Sequence, residues 1–151
     1  MFDDLHGLYQ ELILDHSKAP RNFGPLPGAN GEAEGHNPLC GDNITIHLLL
    51  DNDVVKDIRF EGSGCAISVA SASLMTDMVK GKTKAEAQEL FNAFHAMATG
   101  KGEAHGIGTD HLDKLVALAG VKNFPMRVKC ATLAWHTLDA AFKHQDKVST
   151  E

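Results

Sequence analysis

Between Asn43 and Asp51 the chain reads NITIHLLLD, with Ile44, Ile46, Leu48 and Leu50 at every second position. That period of two predicts a strand with one apolar face. Asp51, Asn52 and Asp53 form a turn, and VVKDIRFEG then puts Val54, Ile58 and Phe60 on one face, completing an antiparallel hairpin. GEAEGH, just ahead of the hairpin, is expected to add a third strand. Elsewhere the spacing is helical. Leu5, Leu8, Tyr9, Leu12 and Ile13 predict a first helix, favoured at its start by Asp3 and Asp4 and stopped by Pro20. PRNFGPLPGANG reads as a loop.

After Gly62-Ser63-Gly64-Cys65 the texture changes to AISVASASLMTDMVKG, whose small residues predict a closely packed helix ending at Gly81. Thr83 and Glu86 form a capping box for the next helix, which carries Ala87, Leu90, Phe91, Phe94 and Met97 into the core before Gly100. GKGEAHGIGT is a loop, and Asp110 caps a short helix through Leu118 that stops at Gly120. Pro125 breaks the chain, and a last helix is expected from about Cys130 to His144. Strands first and helices after imply an α+β fold, a small antiparallel three-stranded sheet with helices packed on one side. Neither a repeat nor a linker interrupts the pattern, so residues 1–151 are expected to form a single domain.

Composition narrows the function classes. The 151 residues carry 14 basic and 20 acidic side chains, a formal charge of -6, which disfavours a nonspecific nucleic-acid binder and suits a protein partner. The opening MFDDLHGLYQ is acidic where a signal peptide is basic, and no apolar run reaches membrane-spanning length. A cytoplasmic protein is expected, with no membrane partner.

Three cysteines, Cys40, Cys65 and Cys130, cannot all pair with one another, and no CxxC is present. In a reducing compartment such a set means free thiols or a metal site assembled by the fold. Cys40 stands in NPLCGDN, where Pro38, Gly41 and Asp42 hold the backbone in a loop and offer a buried thiol little to pack against. Cys65 and Cys130 are expected at or near helix N-termini, where free amides and a partial positive charge favour a thiolate. One oxygen of Asp42 would complete four ligands with three thiolates, a set that suits zinc or one side of an iron-sulfur cluster. Singly, Cys65 and Cys130 could equally be packing residues. Most histidines, including His105, His111, His136 and His144, read as surface residues, and His36, four residues before Cys40, is the one weighed as a further ligand.

NPLCGDN, FEGSGCAISVASASLMTDMVKGK and MRVKCATLAWHTLDAA together resemble the iron-sulfur cluster assembly proteins of the IscU and NifU N-terminal type. The resemblance covers nearly the whole chain, and within the family it is nearest to the SufU branch, which has an extra stretch between the second and third cysteines. It implies that Cys40, Asp42, Cys65 and Cys130 bind metal, zinc in SufU-like members, and that Arg127 engages a partner. That partner would be a pyridoxal-phosphate-dependent cysteine desulfurase of the SufS kind, with SUF assembly proteins downstream. In the implied mechanism a residue of the desulfurase displaces one thiolate from zinc, and Cys40 accepts persulfide sulfur.

Two departures separate the chain from IscU proper. Lys129 stands where IscU has a histidine before its last cysteine, and NFPMRVK, with only Pro125, replaces a proline-rich segment read by a chaperone. A zinc-dependent sulfur acceptor is therefore expected, with a scaffold for a [2Fe-2S] cluster on the same cysteines as the alternative. A purely structural zinc domain is the third reading, and it gains little from a carboxylate ligand on a glycine loop.

Overall fold

The computed structural model describes residues 11, 13–38, 41–99, 125–144 and 147–149. Three antiparallel strands form the body of the sheet, as the alternation predicts: β1 (Gly31–Asn37), β2 (Asp42–Asp51) and β3 (Val54–Ser63). A short strand that the sequence did not announce, β4 (Lys147–Ser149), adds itself parallel to β1, so the order is β3-β2-β1-β4. The β2–β3 connection is a two-residue turn in which Asn52 and Asp53 both take positive φ, 52° and 64°. Asn and Asp tolerate that conformation better than other non-glycine residues, and it matches the twist of a hairpin.

Ile44, Ile46, Leu48, Ile58 and Phe60 are fully buried on the inner face. Leu50 and Val54 were expected to join them, but both are only partly buried and Val55 takes the core position. The reason is a register shift after Leu49: Leu49 faces Asp57 whereas Leu50 faces Val55, which leaves Lys56 as the extra residue of a bulge. The outer face stays polar. His47 lies there between Glu32 and Glu61, at 3.4 and 2.8 Å.

The helices cover the inner face. α1 (Ala66–Val79) is built of small residues, and the buried hydroxyls of Ser71 and Ser73 act as connectors. Ser71 donates to the Ala131 carbonyl and accepts from Trp135 Nε1 at 3.2 Å. Ser73 accepts from the Arg21 amide at 2.8 Å and pairs with His16 Nδ1 at 2.7 Å, which ties residues 13–21 to α1. Residues 13–18 are helical, and the rest of the expected first helix, apart from residue 11, lies outside the described residues. So do the loop beginning at Gly100 and the short helix capped by Asp110. α2 (Lys84–Ala98) starts at the expected capping box, with Glu86 and Thr83 bonded reciprocally.

α3 (Pro125–Phe142) packs on β1, β2 and α1, and Trp135 stacks on Phe94 with ring centroids 5.2 Å apart. Its start corrects the expected one near Cys130. Pro125 is the first helical residue, where a fixed φ and a missing N–H cost nothing, so Cys130 falls in the second turn. The helix comes close to the sheet at Gly35, where any Cβ would collide with the Thr137 hydroxyl. Among the described residues no helix is long and apolar enough to cross a membrane.

Candidate metal centre

Three elements end at one place. Asp42 opens β2, Cys65 is the N-cap of α1, and Cys130 sits one turn into α3. One carboxylate oxygen of Asp42 and the two sulfurs all lie within 4.8 Å of one another, and among the described residues this is the only such group. Two of the three sulfurs predicted to share a site are thus brought together, with the predicted carboxylate. Cys40 lies outside the described residues.

Each ligand atom has a structural reason to be where it is. Cys65 follows the Gly62-Ser63-Gly64 turn with extended backbone (φ -69°, ψ 163°), and its side chain makes no capping hydrogen bond to the helix. The sulfur is therefore not committed to α1, although it stands beside the free amides of the helix start. The turn passes tightly over Asp42, because a Cβ at Gly64 would run into the Asp42 carboxylate. That approach lets the Cys65 N–H donate to Asp42 Oδ1 at 2.8 Å. Cys130 is fully buried. Its place in the second turn removes the helix-terminus argument made for it from sequence, since that field fades beyond the first turn.

Asn37 was missed. It is fully buried at the end of β1, directly across the hairpin from Asp42. Its Nδ2 donates to Asp42 Oδ2 at 3.1 Å and lies 3.5 Å from Cys130 Sγ. A signal was available: Ala33, Gly35 and Asn37 share the inner face of β1, and a polar side chain among small apolar positions needs a partner.

His36 is one residue away and points to the other face, where it pairs with Glu34 at 2.9 Å. Strand alternation thus keeps it away from Cys65 and Cys130. Arg127, in the first turn of α3 and three residues before Cys130, is exposed and has no ion-pair partner among the described residues. Lys129 is half-buried beside Cys130.

Comparison with known proteins agrees with this layout. Residues 8–131 match the family described as the NifU-like N terminal domain. Over 136 residues, 90% of either chain, the protein is 44% identical to one from Bacillus subtilis strain 168 named zinc-dependent sulfurtransferase SufU. It is 43% identical over 139 residues, 92% of this chain and 85% of the relative, to a Streptococcus pyogenes serotype M1 protein named iron-sulfur cluster assembly scaffold protein IscU. The crystal structure of a nitrogen-fixing NifU-like protein (N-terminal) from Brucella abortus superposes with a TM-score of 0.81 at 25% identity, covering 91% of this chain and 93% of the other.

Proposed function

The chain belongs to the NifU-like N-terminal domain family, and on that premise we propose that it is an iron-sulfur cluster assembly protein acting as a zinc-dependent sulfur acceptor. The observation that carries the reading is the convergence of Asp42, Cys65 and Cys130 within 4.8 Å. Cys40 is the fourth ligand and the acceptor. It is two residues from Asp42, a span of at most ~7 Å of backbone.

The donor set fits zinc. Ligand sulfurs on a sphere of ~2.3 Å sit about 3.8 Å apart in a tetrahedron, so small side-chain rotations close the observed group onto an ion. Without a cation, buried thiolates beside a carboxylate repel one another. Zinc, when bound, keeps the thiols deprotonated near neutral pH. The chain's own residues then divide the work. Cys65 and Cys130 hold the site from two helices, and Asp42, fixed by the Cys65 amide and Asn37, supplies the weaker ligand.

Cys40, on the glycine loop, attacks the outer sulfur of a partner persulfide. The new Cys40 S–S bond forms as the partner's own S–S bond breaks, the partner cysteine leaves as a thiolate, and the terminal sulfur keeps its proton. The partner is a pyridoxal-phosphate-dependent cysteine desulfurase of the SufS kind, with SUF assembly proteins as later recipients. Arg127, exposed near the Cys130 end of the site, meets it. The setting is the cytoplasm, whose reducing poise keeps free thiols available, and residues 1–151 act as one domain.

A second reading has support in the name of the Streptococcus pyogenes relative: a scaffold on which a [2Fe-2S] cluster, as cargo, is built on the same cysteines. Alanine release from cysteine by the cognate desulfurase, under a mild reductant, separates the two. The acceptor reading expects zinc-loaded protein to accelerate turnover strongly and Cys40→Ala to abolish the effect. If zinc blocks the effect and only metal-free or iron-loaded protein responds, the scaffold reading replaces it.

A further inference from the structure

Asn37 holds a position that stability alone does not explain. It is fully buried, its Nδ2 serves both Asp42 and Cys130, and its Oδ1 has no hydrogen-bond partner among the described residues. A buried acceptor without a partner costs about 1–3 kcal/mol, a penalty that an apolar side chain of the same size would avoid. The orientation of the amide follows from its neighbours. Turned over, the carbonyl oxygen would face the Asp42 carboxylate, acceptor against acceptor.

We propose that Asn37 is the positioning residue of the metal centre, holding the Asp42 carboxylate on one oxygen and softening the Cys130 sulfur through the same NH2 group. This rests on the zinc reading above. Asp42 is gripped from two sides, Oδ1 by the Cys65 amide and Oδ2 by Asn37, so it meets a cation already oriented, with one lone pair free on each oxygen. Two thiolates and a carboxylate around a dication already leave a net charge of -1, and a buried N–H between two of those anions spreads the excess. The geometry belongs to the fold, because β1 and β2 pair Asn37 directly with Asp42 while α3 brings Cys130 over both. Asn37 thereby couples the carboxylate on the sheet to the thiolate on the helix.

The test is zinc affinity, read by chelator competition on the full chain, together with the absorption spectrum of the cobalt(II)-substituted protein. Asn37→Leu fills the same space without a donor, and it exchanges one stranded acceptor, Asn37 Oδ1, for another, Asp42 Oδ2. It is expected to keep the metal-free protein folded with a small change in melting temperature, to weaken zinc binding about 10–100-fold, and to shift the cobalt thiolate bands. Asn37→Ala reads the same affinity and spectrum should the leucine not fold. In an Asp42→Ala background the effect on affinity should shrink, since the group being positioned is gone. Zinc affinity and cobalt bands equal to wild type in the Asn37 variants would overturn the proposal and leave the zinc reading standing. An undiminished effect in the Asp42→Ala background would also overturn it. Wild-type protein that takes up no zinc would overturn the zinc reading, and this one with it.

Discussion

Asp42 is engaged through both carboxylate oxygens before any cation is considered, by the Cys65 amide on one and Asn37 on the other. Asp42→Ala therefore removes a clasp between the hairpin and α1 as well as the proposed ligand. The fold is expected to survive with a loss of about 1–3 kcal/mol, while zinc exchange quickens. Melting and zinc retention read the two effects, and zinc retention and sulfur transfer equal to wild type would remove Asp42 from the site. His136 is a second residue whose setting decides its chemistry. It is half-buried between Phe91 and His95, with ring centroids 5.1 and 5.6 Å away, and does not have the exposed setting its sequence context suggested. Burial chiefly, and then the neighbouring His95, push its pKa below the ordinary 6.5, against an opposing pull from Asp139. Its neutral form is favoured in the native state, so that part of the stability is present above the unfolded value near 6.5 and is lost as pH falls below it. Between pH 7.5 and 5.5 the melting temperature of His136→Gln should fall less steeply than that of wild type, and equal slopes would contradict this account.

At the scale of elements, the period-two run from Ile44 and the Thr83–Glu86 capping box were legible because each is a local pattern with a local cause. The bulge after Leu49 was not, since nothing in VVKDIRFEG marks Lys56 as the extra residue until β2 is laid beside it. Pro125 was misread for a related reason. Proline ends one helix and opens another with equal ease, and the residues beside it do not say which; here it opens α3. The contact of Gly35 with Thr137 sets how closely α3 lies on β1, and with it how close Cys130 comes to Asn37. Gly35→Ala should cost about 1–3 kcal/mol through overpacking and should also weaken zinc binding, although Gly35 touches no ligand. Thr137→Ala in the same chain should restore part of both, as measured by chemical denaturation and chelator competition. A loss of stability with zinc affinity untouched would show that the helix position does not govern the site.

For the molecule as a whole, β2, α1 and α3 meet at the candidate metal centre. A cation bound to the native state and not to the unfolded chain adds about 4 kcal/mol at a thousandfold excess over Kd, a shift in melting on the order of 10 °C for a protein of this size. Chelation should remove it, and unchanged melting after chelation would count against a zinc site. Arg127→Glu should raise the half-saturating concentration of this protein in the desulfurase assay at least several-fold while zinc content stays constant; unchanged saturation would move the partner surface elsewhere. The sequence by itself determined the types of β1 to β3 and of α1 to α3, most of the inner face of the sheet, the odd set of thiols beside an aspartate in a turn, and the family, because periodicity, turn chemistry and motif spacing are local quantities. Only the tertiary structure decided that Cys65 and Cys130 come within reach of Asp42, that His36 faces away, and that Asn37 lies between carboxylate and thiolate. Those facts depend on how α3 settles across the hairpin, a balance of close packing over non-local contacts that no single stretch of the chain contains.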